Sequence, residues 1–292
     1  MKKKLSAHEL ELKAVSAGRA LKAPAASSHP GEAMAMLIRR GLMPVKTAGD
    51  VPFPQTPEEQ LADRLSDWLG HYAFRLFLRG AIRKRLGFLP QETTRYLTRD
   101  QSRIYADALV DLGLAEKVSR GRYRLIWAAR NFGGTLEWYV ARELERRFGF
   151  DVATGVKLHV GGVGGDLDVV AAAEGKLVYI ELKSSPPRNL TANEMKGFFD
   201  RLSLLQPDVS MFVVDTALRL SDKVFPMLRE ESRRRGFGGA EPRRIAVELW
   251  ALEPNIFAVN GRRDLMANIG KAIAAGFFAL SLFSRINAPA SP

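Results

Sequence analysis

The sequence predicts an α/β protein, in which helices flank a mixed β-sheet and a smaller domain of three helices and a β-hairpin precedes that sheet. Two observations carry the prediction. Apolar residues follow a helical period up to residue 148 and then alternate between residues 156 and 183. A largely apolar segment at 209–215 follows a helical segment, which indicates a buried parallel strand joined by a crossover helix.

Length and composition narrow the class of protein. The chain has 292 residues, of which 46% are apolar and 26% charged, as in a soluble globular protein of one large or two ordinary domains. It has no cysteine, which excludes disulfide scaffolds, zinc fingers, iron–sulfur clusters and cysteine nucleophiles. No apolar run approaches the roughly 20 residues of a membrane span, and no secretory signal follows the first lysines. We therefore expect a cytoplasmic protein without a membrane partner.

The charge of the chain is unevenly distributed. The formal net charge of +12 predicts a polyanionic partner, with nucleic acid ahead of an anionic membrane surface. Residues 136–220 nevertheless carry a net charge of −2, against +14 for the rest of the chain. Metal-binding carboxylates that face an anionic substrate would explain this acidic segment.

The elements before residue 130 are predicted from capping and apolar patterns. Residues 1–50 contain a Pro/Ala/Ser-rich run and one short helix at 32–40, so we expect a basic, partly flexible N-terminal arm. Thr56 followed by Pro57 predicts the start of a helix, and an arginine-rich apolar segment at 72–86 predicts a second one.

A third helix and a hairpin complete this domain, which we place at residues 51–130. Thr98 and Gln101 form a capping box, and Ile104, Ala108 and Leu112 make the apolar stripe of the helix. Two short strands at 115–118 and 123–127 then enclose a basic turn.

This order resembles a winged helix-turn-helix domain, whose third helix enters the major groove of DNA and whose hairpin contacts the backbone. The resemblance implies nucleic-acid contacts from Arg99, Gln101, Ser102 and Arg103 of the helix and from Lys117, Arg120, Arg122 and Arg124 of the hairpin. Winged helices also serve as packing or dimerisation modules, and three aspartates on the same helix dilute its positive charge. Both interpretations stay open.

The candidate catalytic and metal-binding residues lie between residues 133 and 215. A helix beginning near Thr135 carries Glu137 in its first turn; its apolar positions are Leu136, Val140, Leu144 and Phe148, and Gly149 ends it. Strands follow at 156–160, 166–171 and 177–183, separated by a glycine-rich turn at 161–165 and a tight turn at Glu174 and Gly175.

Strand periodicity brings a carboxylate and a lysine together. Glu181 and Lys183 are two residues apart, so they project from one face of their strand. With an aspartate of the preceding strand, Glu181 offers hard oxygen ligands that suit Mg²⁺ or Mn²⁺. Lys183 beside them could orient or deprotonate a water. This combination is suited to metal-assisted hydrolysis of phosphodiester bonds.

The spacing of Asp168, Glu181 and Lys183 behind a helical Glu137 resembles the PD-(D/E)XK nuclease superfamily. The match covers residues 133–215 of a core that we place at 131–260, closed by a helix and tail at 261–292. The resemblance implies a restriction endonuclease-like fold with metal ligands at Asp168, Glu181 and the Leu182 carbonyl. It also implies a catalytic Lys183, a supporting Glu137 and a Mg²⁺ or Mn²⁺ cofactor.

The core looks especially similar to the nuclease domain of ring-nucleotide-activated CRISPR accessory proteins, although no ligand-sensing domain is visible. Leu167 stands where the family's proline would be, and either Asp166 or Asp168 could be the first ligand. His159 is expected to contact solvent or DNA. Further strands are predicted at 245–252 and 256–259.

The resulting expectation is a Mg²⁺-dependent deoxyribonuclease of the PD-(D/E)XK type that cuts duplex DNA. The alternatives are a non-catalytic DNA-binding protein on a nuclease scaffold and an RNA-directed defence nuclease. A homodimer would fit double-strand cutting, because each site cuts one strand.

Overall fold

The computed structural model describes residues 30–84, 86–158, 165–237 and 241–281. His159, the glycines at 161–164 and most of the predicted N-terminal arm lie outside these residues. The helices are α1 (Glu32–Arg39), α2 (Glu59–Gly70), α3 (Tyr72–Arg83), α4 (Arg99–Asp111), α5 (Gly133–Phe148), α6 (Ala192–Leu205), α7 (Val224–Arg234) and α8 (Leu265–Leu280).

The strands are β1 (Pro44–Lys46), β2 (Ala115–Lys117), β3 (Tyr123–Leu125), β4 (Asp151–Leu158), β5 (Asp166–Ala173), β6 (Lys176–Lys183), β7 (Val209–Val214), β8 (Arg243–Ala246), β9 (Leu249–Glu253) and β10 (Ile256–Asn260). Eight of them form one sheet in the order β1-β4-β5-β6-β7-β10-β9-β8. β6, β7 and β10 run parallel, and the other neighbours are antiparallel. The predicted mixed sheet flanked by helices is confirmed.

Each face of the sheet is covered by its own apolar cluster. One cluster joins Ile180 and Val213 of the sheet with Leu144 of α5, Ile269 of α8 and Phe77 of α3. The second joins the opposite face with α1, α6 and α7. The helices before residue 130 therefore share a core with the sheet.

Several predicted elements are confirmed. The Thr98 and Thr191 capping boxes are formed, Gly149 ends α5 in the left-handed conformation, and β7 is buried along its whole length. The helix–helix–helix–hairpin order over α2, α3, α4, β2 and β3 is also present.

Other predictions need correction. The helix expected from Thr56 begins at Glu59, and no side chain caps its first turn. Ile104 of the predicted α4 stripe is 58% exposed, and Phe148 of the α5 stripe is also exposed, because each lies at the margin of its buried face. The segment at 32–46 is packed, since Met36 and Leu37 of α1 are buried and β1 pairs with β4.

The strand expected at 245–252 is two strands. The chain turns at Val247 and Glu248, and Glu248 has a positive φ of 58°. Its carboxylate accepts a hydrogen bond of 2.6 Å from the backbone N–H of Leu220, a contact from another part of the chain. In the described residues, no helix combines the length and the apolar character that crossing a membrane requires.

Candidate active site

Four side chains that the sequence singled out lie close together where β5 and β6 separate: Glu137, Asp168, Glu181 and Lys183. The pairing of the two strands runs from Ala173 with Lys176 to Val169 with Ile180. Beyond this point the carboxylate of Asp168 takes the place of a strand carbonyl: its Oδ2 accepts the backbone N–H of Leu182 at 2.7 Å. The sheet therefore opens at Asp168 and at the last three residues of β6.

Glu181 is the most constrained carboxylate of this opening. It is only 2% exposed, and Lys183 Nζ donates to its Oε1 at 2.7 Å. Its Oε2 accepts from the Tyr179 hydroxyl and from Arg201 Nη1, the latter at 3.1 Å. Burial, followed by the charge of Glu181, raises the pKa of Tyr179 well above its usual value, so the hydroxyl stays a donor.

Lys183 keeps its charge in this setting. Burial alone would lower its pKa, but the charge of Glu181 and their hydrogen bond raise it above the usual value. Glu194 of α6 lies 4.0 Å from the same Nζ. Lys183 is therefore a cation and a hydrogen-bond donor here.

Asp168 and Glu137 are carboxyl groups whose charged forms the site disfavours. Burial, then the charge of Glu181, raises the pKa of Asp168 to about 7. Burial, then the charges of Asp168, Asp166 and Glu181, raises the pKa of Glu137 on α5 to about 8. Such pKa values indicate crowded carboxyl groups, for which burial and mutual repulsion outweigh the nearby cations.

This crowding of carboxyl groups fits a site for a divalent cation. No group of three acidic or histidine side chains in the described part of the chain is close enough to form a complete metal cage. Mg²⁺ does not require one, since it keeps several waters and takes one or two carboxylates. Asp168 and Glu181, with the Leu182 carbonyl, would be its ligands; Asp166 lies exposed, with its Oδ1 3.8 Å from Lys157 Nζ.

Arg201 and Tyr179 join the site although the sequence did not single them out. Arg201 comes from α6, 20 residues after Glu181. Gly165 has a φ of +97°, a conformation that favours glycine, and a Cβ there would lie 2.6 Å from Arg201 Nη2, so the end of the arginine would have to shift. Tyr179 and Glu181 are two residues apart on one strand, so strand alternation could have predicted that they share a face. The approach of Arg201 depends on tertiary packing.

The residues predicted to bind nucleic acid are spread over α4 and the hairpin. Lys117 Nζ lies 2.8 Å from Asp107, Arg103 lies 4.0 Å from the same carboxylate, and Arg124 is paired with Glu116. Gln101 is engaged in the capping box, while Arg99, Arg120 and Arg122 are exposed. Ser102 is fully buried and cannot contact a ligand.

The fold and the site together define an α/β protein with a carboxylate and lysine cluster where two central strands of a mixed sheet separate. No protein-family model matches the sequence, and a comparison with curated proteins also gives no match.

Solved structures show similarity in fold. VC1899 from Vibrio cholerae aligns with a TM-score of 0.50 at 17% identity, over 84% of this chain and 62% of that one. Can2 from Sulfobacillus thermosulfidooxidans, in complex with cyclic tetra-adenylate, aligns with a TM-score of 0.44 at 16% identity, over 83% and 59%. The chain thus spans about three fifths of the length of either structure. The first similarity concerns the fold alone, and the second carries no argument about this chain.

Proposed function

We propose that this protein is a metal-dependent nuclease of the PD-(D/E)XK type that hydrolyses phosphodiester bonds, with duplex DNA as the favoured substrate. The observation that carries the proposal is the convergence of Glu137, Asp168, Glu181 and Lys183 at the point where β5 and β6 separate. A charged lysine beside crowded carboxyl groups suits an anionic substrate in the presence of a cation.

Each side chain has a defined role in this proposal. A bound Mg²⁺ or Mn²⁺ would lower the pKa of a water and stabilise charge on the phosphate. Lys183 orients the attacking water and donates a hydrogen bond towards the phosphate oxygens, while Tyr179 and Arg201 hold Glu181 in one orientation. Glu137 supports the acidic side of the site from α5.

The test is cleavage of supercoiled plasmid, linear duplex, single-stranded DNA and RNA with Mg²⁺, Mn²⁺ or EDTA. Lys183→Ala should reduce the cleavage rate by at least about 100-fold, because it removes the charged group closest to the reacting phosphate. Lys196→Ala, an exposed lysine of α6, is the matched control and should cut as the wild type does. Cleavage that survives either EDTA or Lys183→Ala would show that the proposed mechanism is wrong.

One observation favours the non-catalytic alternative. Three donors already occupy the carboxylate of Glu181, so its oxygens are satisfied without a metal. In a DNA-binding scaffold this network would serve stability alone. Intact plasmid under every metal condition, together with retained DNA binding, would select that function.

A further inference from the structure

An open cleft lies beside the candidate active site, at the carboxyl edge of the parallel strands. Its volume is about 790 Å³, and the loops that follow β6, β7 and β10 form its walls. Four cations line it: Arg188, Arg219, Lys223 and Arg262. Asp222 is the single carboxylate among its lining residues, so the cleft is strongly positive.

These cations have no acidic partner within the described residues. In that part of the chain, no carboxylate oxygen lies within 4.0 Å of a side-chain nitrogen of these four residues. Lys223 Nζ instead donates to the backbone carbonyl of Arg188 at 2.8 Å. The hairpin differs in this respect, because Lys117 and Arg124 there are already paired with carboxylates.

Hydrogen bonds hold the three loops in place. The Lys223 contact with Arg188 joins the loop after β7 to the one after β6. Asn260 donates from Nδ2 to the carbonyl of Leu218 and accepts the N–H of Arg262, both at 3.0 Å. The cleft is therefore formed before any ligand arrives, which lowers the entropy lost on binding.

The loop after β10 also rests on a buried ion pair. A Cβ on Gly261 would lie 3.1 Å from Asp215 Oδ1 and 3.3 Å from Arg75 Nη2. Asp215 in turn donates its backbone N–H to the carbonyl of Lys183 at 2.8 Å. Lys183 therefore ends the strand that is paired with β7, and the loops that follow these two strands form walls of the cleft.

We propose that this cleft binds the phosphodiester backbone of the nucleic acid strand next to the bond that is cut. The inference rests on the proposed function and adds a substrate-binding surface separate from the hairpin. The lining residues include no aromatic side chain for base stacking and no side-chain amide for reading base edges. The polar contacts that the cleft offers come mainly from its four cations, which suit phosphate oxygens.

The experiment measures binding of a fluorescein-labelled duplex DNA by anisotropy, in EDTA so that no cleavage occurs. A triple variant, Arg188→Ala with Arg219→Ala and Arg262→Ala, should lose at least about tenfold in affinity at roughly 0.1 M salt. The slope of log K against log salt should fall by about 2.7, since each lost phosphate contact contributes about 0.9. Single-stranded DNA, run in parallel, identifies the strand form that the cleft prefers.

Two further triple variants make the result specific. Arg64→Ala with Arg233→Ala and Arg243→Ala removes the same charge from exposed positions outside the cleft and should change affinity less than twofold. Arg99→Ala with Arg120→Ala and Arg122→Ala tests the hairpin domain. An unchanged affinity and salt slope for the cleft variant, with either strand form, would overturn the proposal, whatever the hairpin variant does. Thermal unfolding of each variant confirms that it is folded.

Failure of the cleft and failure of the nuclease give different results. If Lys183→Ala abolishes cleavage while the cleft variant binds and cuts like the wild type, the nuclease stands and the cleft assignment is wrong. If the wild type cuts nothing but binding depends on the cleft, the cleft stands and the proposed reaction is wrong.

Discussion

Glu181 shows how one residue can be both buried and charged. Its carboxylate has three donors, from Tyr179, Lys183 and Arg201, and such a set offsets the cost of taking a charge out of water. Asp168 has one backbone donor, from Leu182, and Glu137 has none that would offset its neighbours' charge. Glu181 thus has several hydrogen-bond donors, whereas Asp168 and Glu137 have few within the described residues.

This difference predicts that the stability of the metal-free protein depends on pH. The folded-state pKa of Glu137, about 8, lies above its usual value of 4.5, so the folded state holds this proton more tightly than the unfolded state. Its contribution to stability is present below pH 4.5 and is lost as pH rises towards 8.

Glu137→Gln removes this titration while keeping the shape of the side chain. In EDTA, the free energy of unfolding of the wild type should fall relative to the variant between pH 5 and 8, by up to about 3 kcal/mol. Urea unfolding across this range measures the difference. Parallel curves for the two proteins would show that Glu137 does not titrate as described.

The residues of the site were predictable only where a strand pattern or a family resemblance marks them. Glu181 and Lys183 follow from strand alternation, whereas Asp168 and Glu137 were singled out by the resemblance to PD-(D/E)XK nucleases. Arg201 reaches Glu181 because α6 packs over β6, a relation that no local pattern encodes.

An ion pair joins α3 to the end of β7. Arg75 Nε lies 2.9 Å from Asp215 Oδ1, and the two side chains are 1% and 0% exposed. Arg79 Nη2 lies 2.8 Å from the other oxygen of the same carboxylate. Arg75 also donates to the carbonyl of Leu69 at 2.6 Å, so most of its guanidinium is satisfied.

We therefore expect Asp215→Asn to destabilise the protein by about 3–5 kcal/mol, because it leaves the buried Arg75 and the partly buried Arg79 beside a neutral amide. Glu32→Gln, which breaks the exposed pair of Glu32 with Arg39, should cost less than about 1 kcal/mol. Urea unfolding at neutral pH compares the two variants. Equal losses would mean that the Asp215 carboxylate is not the group that holds these arginines.

Elements differed in how well their ends could be predicted. Both threonine capping boxes form because each combines an N-cap hydroxyl with a glutamine or glutamate three residues later. The turn at Val247 and Glu248 lacks glycine, asparagine and proline, and a hydrogen bond from distant Leu220 stabilises it. Long-range contacts of this kind explain the elements that the sequence did not reveal.

At the scale of the molecule, α2, α3 and α4 share an apolar cluster with one face of the sheet. Ser66 of α2 adds a buried hydrogen bond of 2.7 Å to Glu143 of α5. Since neither part covers its apolar face alone, residues 31–281 should unfold as one cooperative unit.

Two probes can check this expectation. Trp68 and Trp138 report on the helices, and Trp250 on the far side of the sheet. Variants that retain either Trp68 or Trp250 as the sole tryptophan should give urea midpoints that agree with each other and with far-ultraviolet circular dichroism. Separate midpoints would show that the helical part folds independently.

The Arg75–Asp215 pair spans 140 residues of chain. During synthesis the helices leave the ribosome long before β7 exists, so their buried arginines have no counter-charge until Asp215 has been made. The carbonyl of Lys183 likewise has no N–H of Asp215 to accept until that residue has been made. The candidate site is therefore completed only after residue 215 has been translated, and shorter nascent chains would carry Asp168, Glu181 and Lys183 without the strand that aligns them.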